Sequence, residues 1–150
     1  MELLFTIAVA AIILSVGVPG FLSFVANNRA VTHTNDLVTA LNLGRSEASR
    51  RGSVVTLCSS EDGTNCSDEN DWSTGWVLRT AGGQVLRSWP KRSGGDGVVT
   101  ANVDELSFQA RGSVAVGAAF EVHLPNCRGD QKRLIAVQGT GRVSVSRVDC

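Results

Sequence analysis

The chain has 150 residues, which is room for one domain of ordinary size around a single core. Its 14 Lys and Arg balance its 14 Asp and Glu, so no net field draws it onto nucleic acid or anionic lipid, and any such binding must come from a local patch. Sixteen Gly, three Pro and 43% hydrophobic residues exclude collagen-like and strongly disordered classes.

The charge is unevenly placed: no charged residue lies between Glu2 and Arg29, and every basic residue stands at Arg29 or later. Leu3 to Phe24 is a run of about 22 residues that as a helix reaches roughly 33 Å, enough to cross a bilayer core. A secretory signal peptide is the competing reading. It wants a basic start, a shorter apolar stretch and a small-x-small cleavage site, and neither Glu2 nor Val25-Ala26-Asn27 supplies these. An uncleaved anchor is therefore expected. Gly17 and Pro19 interrupt the run, which a membrane helix tolerates with a local bend better than a soluble core helix does. Glu2 either sits among headgroups or awaits a cationic partner from another subunit, because an unpaired carboxylate drawn into lipid is costly.

The string Glu2-Leu3-Leu4-Phe5-Thr6-Ile7-Ala8-Val9-Ala10-Ala11-Ile12-Ile13, followed by Val18-Pro19-Gly20-Phe21, resembles the N-terminal segment of type IV pilins and pseudopilins. In that family a prepilin peptidase cuts a leader after a glycine, the new N-terminal phenylalanine is methylated, and a glutamate lies four residues further on. Glu2 matches the glutamate and Pro19 the early helix-bending proline. The resemblance implies that Glu2 pairs with the N-terminal amine of a neighbouring subunit during assembly. Met1 stands where the family has the residue just before the glutamate. Upstream codons are accordingly expected to encode a short basic leader ending in Gly, then Phe-Thr-Leu, with loss of processing as the alternative.

Asn27, Asn28 and Arg29 mark the exit to water. Val31, Leu37, Val38, Leu41 and Ala48 then recur at helical spacing, and Gly52 is the expected stop. Alternating β-branched and polar residues predict strands over 54–58, 75–79, 84–89, 97–100, 106–110, 113–116, 119–124, 134–137 and 142–147. Ala81-Gly82-Gly83 reads as a hairpin and Ser93-Gly94-Gly95-Asp96-Gly97 as a loop. The architecture expected from the pattern is a helical spine followed by antiparallel sheet.

Asn35 to Ala48 with Arg51 to Cys58, Asp71-Trp72-Ser73-Thr74-Gly75-Trp76-Val77 and Gly139-Thr140-Gly141-Arg142-Val143 are similar to the helix-to-strand, tryptophan-strand and C-terminal-strand signatures of the GspH/FimT family of minor pilins and pseudopilins. The resemblance covers nearly the whole chain. It implies an α+β pilin-like fold, a long N-terminal helix packed on two small antiparallel sheets. Residues 1–27 would form the transmembrane and assembly half, and residues 28–150 the periplasmic globular part. The implied partners are other pilins or pseudopilins, the bacterial inner membrane and, with a leader, the prepilin peptidase.

Four cysteines on a chain whose polar part lies outside a membrane favour two disulfides. Local pairing, Cys58 with Cys66 and Cys127 with Cys150, is the natural choice among the three connectivities. Loop entropy assigns roughly 2.5 and 3.5 kcal/mol to these loops. Zinc is the competing reading, but C-x2-C spacing is missing and neither His33 nor His123 is near the cysteines in sequence. Glu61, Asp62, Asp68, Glu69 and Asp71 lack the spacing and central glycine of a calcium loop and read as a solvated acidic stretch. With no nucleophile elbow, H-E-x-x-H or phosphate-binding loop, neither an enzyme nor a cofactor is expected.

Twelve of the 14 basic residues are Arg, the side chain suited to bidentate phosphate contact. Arg128, Lys132, Arg133, Arg142 and Arg147 outnumber Asp130 and Asp149 after Cys127. FimT-like members that bind DNA in natural transformation carry a glycine-arginine-x-arginine motif on the last strand. Gly141 and Arg142 match it, whereas Ser144 replaces the second arginine and Arg147 falls on the other strand face. The reading is a FimT-like minor pilin with weak, non-specific contact to double-stranded DNA through these five residues. The alternatives are a type II secretion pseudopilin without DNA binding and, for the arginines, a charged strand edge that resists aggregation.

Overall fold

The computed structural model describes residues 2–91, 97–125 and 127–150. One helix, α1 (Glu2–Arg51), runs through the apolar segment, past Pro19 and on to the predicted stop, a length of about 75 Å at ~1.5 Å per residue. Hydroxyls in its apolar half turn back on the helix: Thr6, Ser15 and Ser23 donate to the carbonyls of Leu3, Ile12 and Gly20 at 2.8, 2.8 and 2.9 Å. Each of these three hydroxyls is thereby satisfied within the helix and does not face an apolar surrounding bare. At the other end Gly52 adopts φ 63°, and the Ser53 N–H reaches back to the Ala48 carbonyl at 3.3 Å, the Schellman closure.

Among the described residues eight antiparallel strands follow: β1 (Val55–Ser59), β2 (Gly75–Thr80), β3 (Val85–Pro90), β4 (Val98–Ala101), β5 (Glu105–Phe108), β6 (Ala118–His123), β7 (Lys132–Val137) and β8 (Val143–Val148). They form two four-stranded sheets, β3-β2-β1-β5 and β4-β6-β7-β8. The predicted strand over Ser113 to Val116 is corrected by the structure. The chain reverses tightly there, with the Gly112 N–H on the Gln109 carbonyl at 2.7 Å, and makes only a bridge from Val114 to Phe108. The Val114 N–H then bonds the Gly139 carbonyl at 2.9 Å, so this segment passes from one sheet to the other and cannot extend a ladder in either. Residues Ser93 to Asp96 of the predicted loop lie outside the described residues.

The upper half of α1 lays Leu37, Ala40, Leu41, Gly44 and Ala48 across both sheets, one stripe at helical spacing. Gly44 is where helix and sheet come closest, because a Cβ there would stand 2.8 Å from the Phe108 ring. Trp72 joins the sheets. Its ring meets Phe120 edge-on at 4.9 Å, and its indole N–H donates to the Val103 carbonyl at 3.0 Å.

Candidate assembly and binding surfaces

The first half of α1 presents a full turn of unburied apolar side chains, among them Leu3, Phe5, Ile12, Phe21 and Phe24, each more than half exposed. Leaving one such side chain in water rather than burying it costs about 1.5–3 kcal/mol, so this surface is made for lipid or for other helices. The stretch is long and apolar enough to cross a membrane. Pro19 stands inside the helix, where it removes one backbone N–H from the ladder. The side chain of Glu2 lies outside the described part of the structure.

Where the helix meets the sheets, Arg133 is buried on the core-facing side of β7. Its guanidinium donates to the Asn27 side-chain oxygen at 2.6 Å and to the carbonyls of Asp130 and Lys132 at 2.7 and 3.2 Å. Arg147 of β8 is its direct cross-strand neighbour. Burial first, and then the charge of Arg147, hold the Arg133 guanidinium below its ordinary pKa, against a smaller opposing pull from Asp130. Asn27 had read only as a polar residue at the exit to water. Its role as the acceptor that ties helix to sheet depends on a partner 106 positions away and leaves no local trace in the sequence.

The structure divides the five basic residues assigned to DNA. Arg133 is withdrawn from any surface role by its burial and its bonds to the helix and the backbone. Lys132 is shared with Glu121, 3.4 Å away. Arg142, Arg147 and Arg128 are exposed, but Arg142 stands before the start of β8 and Arg147 near its end, roughly 17 Å along an extended chain. Arg142 follows a hairpin closed by the Gly141 N–H on the Gln138 carbonyl at 2.7 Å. Gly141 has φ 74° and lies against the Gly112 carbonyl, so a side chain there would be both strained and blocked.

Cys58 is bonded to Cys66 and Cys127 to Cys150, with Cα–Cα distances of 5.5 and 5.8 Å. The second bond, with the Cys150 N–H on the Gly129 carbonyl at 2.8 Å, fastens the C-terminus to the loop before β7. Within the acidic stretch, Asp62 accepts from the backbone N–H groups of Thr64 and Asn65 at 2.8 and 2.7 Å, and Asp71 from that of Ser73 at 2.8 Å. These carboxylates shape turns.

A family model described as type II transport protein GspH matches residues 33–141. The fold is similar to that of the type IV minor pilin FimU of Pseudomonas aeruginosa, 21% identical, with 82% of this chain and 92% of that one covered at a TM-score of 0.66. It is also similar to the minor pseudopilin EpsH of the type 2 secretion system of Vibrio cholerae, 12% identical, with 79% and 97% covered at a TM-score of 0.53. No curated protein matches the chain. At these identities the two structures speak to the fold alone. The family match, by contrast, runs from the buried half of the helix to the last hairpin, and the chain belongs to the GspH/FimT family of minor pilins and pseudopilins.

Proposed function

We propose that the chain is a FimT-like minor pilin, a structural subunit that inserts in the bacterial inner membrane and takes part in type IV pilus assembly. The observation that carries this reading is the apolar half of α1, whose large side chains are exposed among the described residues. Residues 1–27 serve the membrane and the fibre, with Asn27 at the joint tied to the buried Arg133, and residues 28–150 form the globular part on the periplasmic side. Glu2 pairs with the N-terminal amine of a neighbouring subunit, which turns the cost of a carboxylate in lipid into assembly specificity, and Pro19 bends the helix for packing. The test is expression of Glu2→Ala from the full reading frame and measurement of its incorporation into fibres. Loss of incorporation with normal membrane insertion is expected; normal incorporation overturns the role of Glu2.

In this reading the exposed Arg142, Arg128 and Arg147 contact duplex DNA through phosphates, weakly and without sequence preference. Each phosphate contact steepens the salt dependence by about 0.9, so three arginines give a shallow slope. Titration of the protein with labelled duplex at low salt should show Arg142→Ala weakening binding more than Arg87→Ala, whose guanidinium is stacked on Trp89 at 5.0 Å. Equal effects, or no binding, remove the DNA role and leave the assembly role standing. The description of the matching family favours a second reading, a minor pseudopilin of a type II secretion system. The neighbouring genes decide between the two, by encoding pilus or secretion components.

A further inference from the structure

A cleft of about 620 Å³ opens at the foot of the globular part, between the lower helix and the loop that leads into β7. Its helix wall is Pro19, Leu22, Val25 and Ala26, its loop wall Leu124 and Pro125, and Arg29 and Arg128 line it from opposite sides. We propose that this cleft binds the phosphate headgroup of an anionic membrane phospholipid. The proposal rests on the reading of the lower helix as a membrane span.

Three observations carry it. The first is depth. The apolar run ends at Asn27-Asn28-Arg29, the exit to water, so the cleft, whose helix wall runs from Pro19 to Arg29, spans the edge of the hydrocarbon core and the headgroup layer. The second is charge. Among the described residues no acidic side chain lines the cleft and neither guanidinium has a carboxylate partner. Asp130 is exposed and outside the lining, and Glu121 is taken by Lys132. Two arginines facing one gap with apolar walls match a phosphate whose acyl chains continue along Leu22 and Pro19.

The third is rigidity. The loop wall is held by the Cys127–Cys150 bond, by the Cys127 N–H on the Leu124 carbonyl at 3.0 Å and by the Arg128 N–H on the Gln131 side chain at 3.2 Å. The helix wall is clamped to the same unit by Asn27 and Arg133. The backbone that carries each arginine is therefore fixed before any ligand arrives, which lowers the ordering cost of binding.

The test uses the full chain reconstituted in vesicles of phosphatidylcholine alone and of phosphatidylcholine with a minority of phosphatidylglycerol. Trace spin-labelled lipid of each kind reports its relative association with the protein. Phosphatidylglycerol should be selected about 25-fold, with about fivefold lost for each arginine removed in Arg29→Gln and Arg128→Gln, and no loss in Arg111→Gln, an exposed arginine outside the cleft. Absence of selectivity in the native chain, its survival in the double variant, or an equal loss in Arg111→Gln overturns the proposal. Displacement of the lipid by an equal concentration of inorganic phosphate would make this a free-anion site and overturn the lipid assignment. Flotation with neutral vesicles separates the two readings: a chain that fails to insert removes the membrane span and this proposal with it, whereas insertion without selectivity removes the proposal alone.

Discussion

Asp62 shows how one side chain in a surface loop is made to matter. Backbone N–H groups of Asn65 and Thr64, then their side chains, donate to its carboxylate, and they hold its pKa well below the ordinary carboxylate range. The folded chain therefore favours the ionised acid more than the unfolded chain does. That contribution is complete above the ordinary carboxylate pKa and is lost as pH falls toward the depressed folded value. Asp62→Asn removes it, so the native chain should be the more stable of the two at neutral pH, and the gap should close in strong acid. Denaturant unfolding of both forms over a pH series checks this. A gap independent of pH would show that an amide serves the loop as well as the carboxylate. Arg133 makes a different point at the same scale. As one of five basic residues near the C-terminus it read as surface charge, because sequence gives its spacing and not its face. The alternation of β7 puts residues 133, 135 and 137 inward, and Arg133 goes with them.

Among the elements, α1 is the most legible in sequence. Its charge-free start, the apolar stripe from Leu37 to Ala48 and the glycine just past its end are all local signals, and the helix runs from Glu2 to Arg51 as they predict. What local pattern does not show is how tightly it packs. Gly44 has an ordinary place in a helix, yet a Cβ there meets Phe108 at 2.8 Å and Leu78 at 3.1 Å. Alanine gains about 1 kcal/mol of helix propensity, whereas overpacking a filled core costs about 1–3 kcal/mol. Gly44→Ala should thus be destabilising on balance, read as a lower denaturant midpoint, and a higher midpoint would show that Phe108 gives way freely. The strands were legible mainly by existence, with ends shifted by one or two residues. The exception, Ser113 to Val116, has the composition of a strand but is spent crossing between sheets, a fact of topology.

For the whole molecule, the division between an apolar rod and a folded head is written in the sequence, but the place of the boundary is not. The polar run Asn27-Asn28-Arg29 sets the expected cut between residues 27 and 28. Asn27, on the helix side of that cut, accepts a hydrogen bond from a buried arginine of the head. A hydrogen bond to a charged group is worth about 1.5–3 kcal/mol. A soluble form that begins at residue 25 should therefore exceed one that begins at residue 28 by about that amount in unfolding free energy, and the advantage should vanish when both carry Arg133→Leu. Equal stability of the two parent forms would place Arg133 outside the energetics of the joint.

What the sequence by itself determined is whatever is carried by neighbours a few residues apart: the membrane-length helix and its stop, the strand periodicity, the turn chemistry and, through its motifs, the family. These follow from short-range sterics and hydrophobic period, which act before the chain has a shape. Only the tertiary structure decided which arginines face water and which face the core, and that Arg29 and Arg128 share a cleft. The reason is that these relations are fixed by strand register and by contacts between residues about a hundred positions apart, such as Asn27 and Arg133, which the pattern along the chain does not contain.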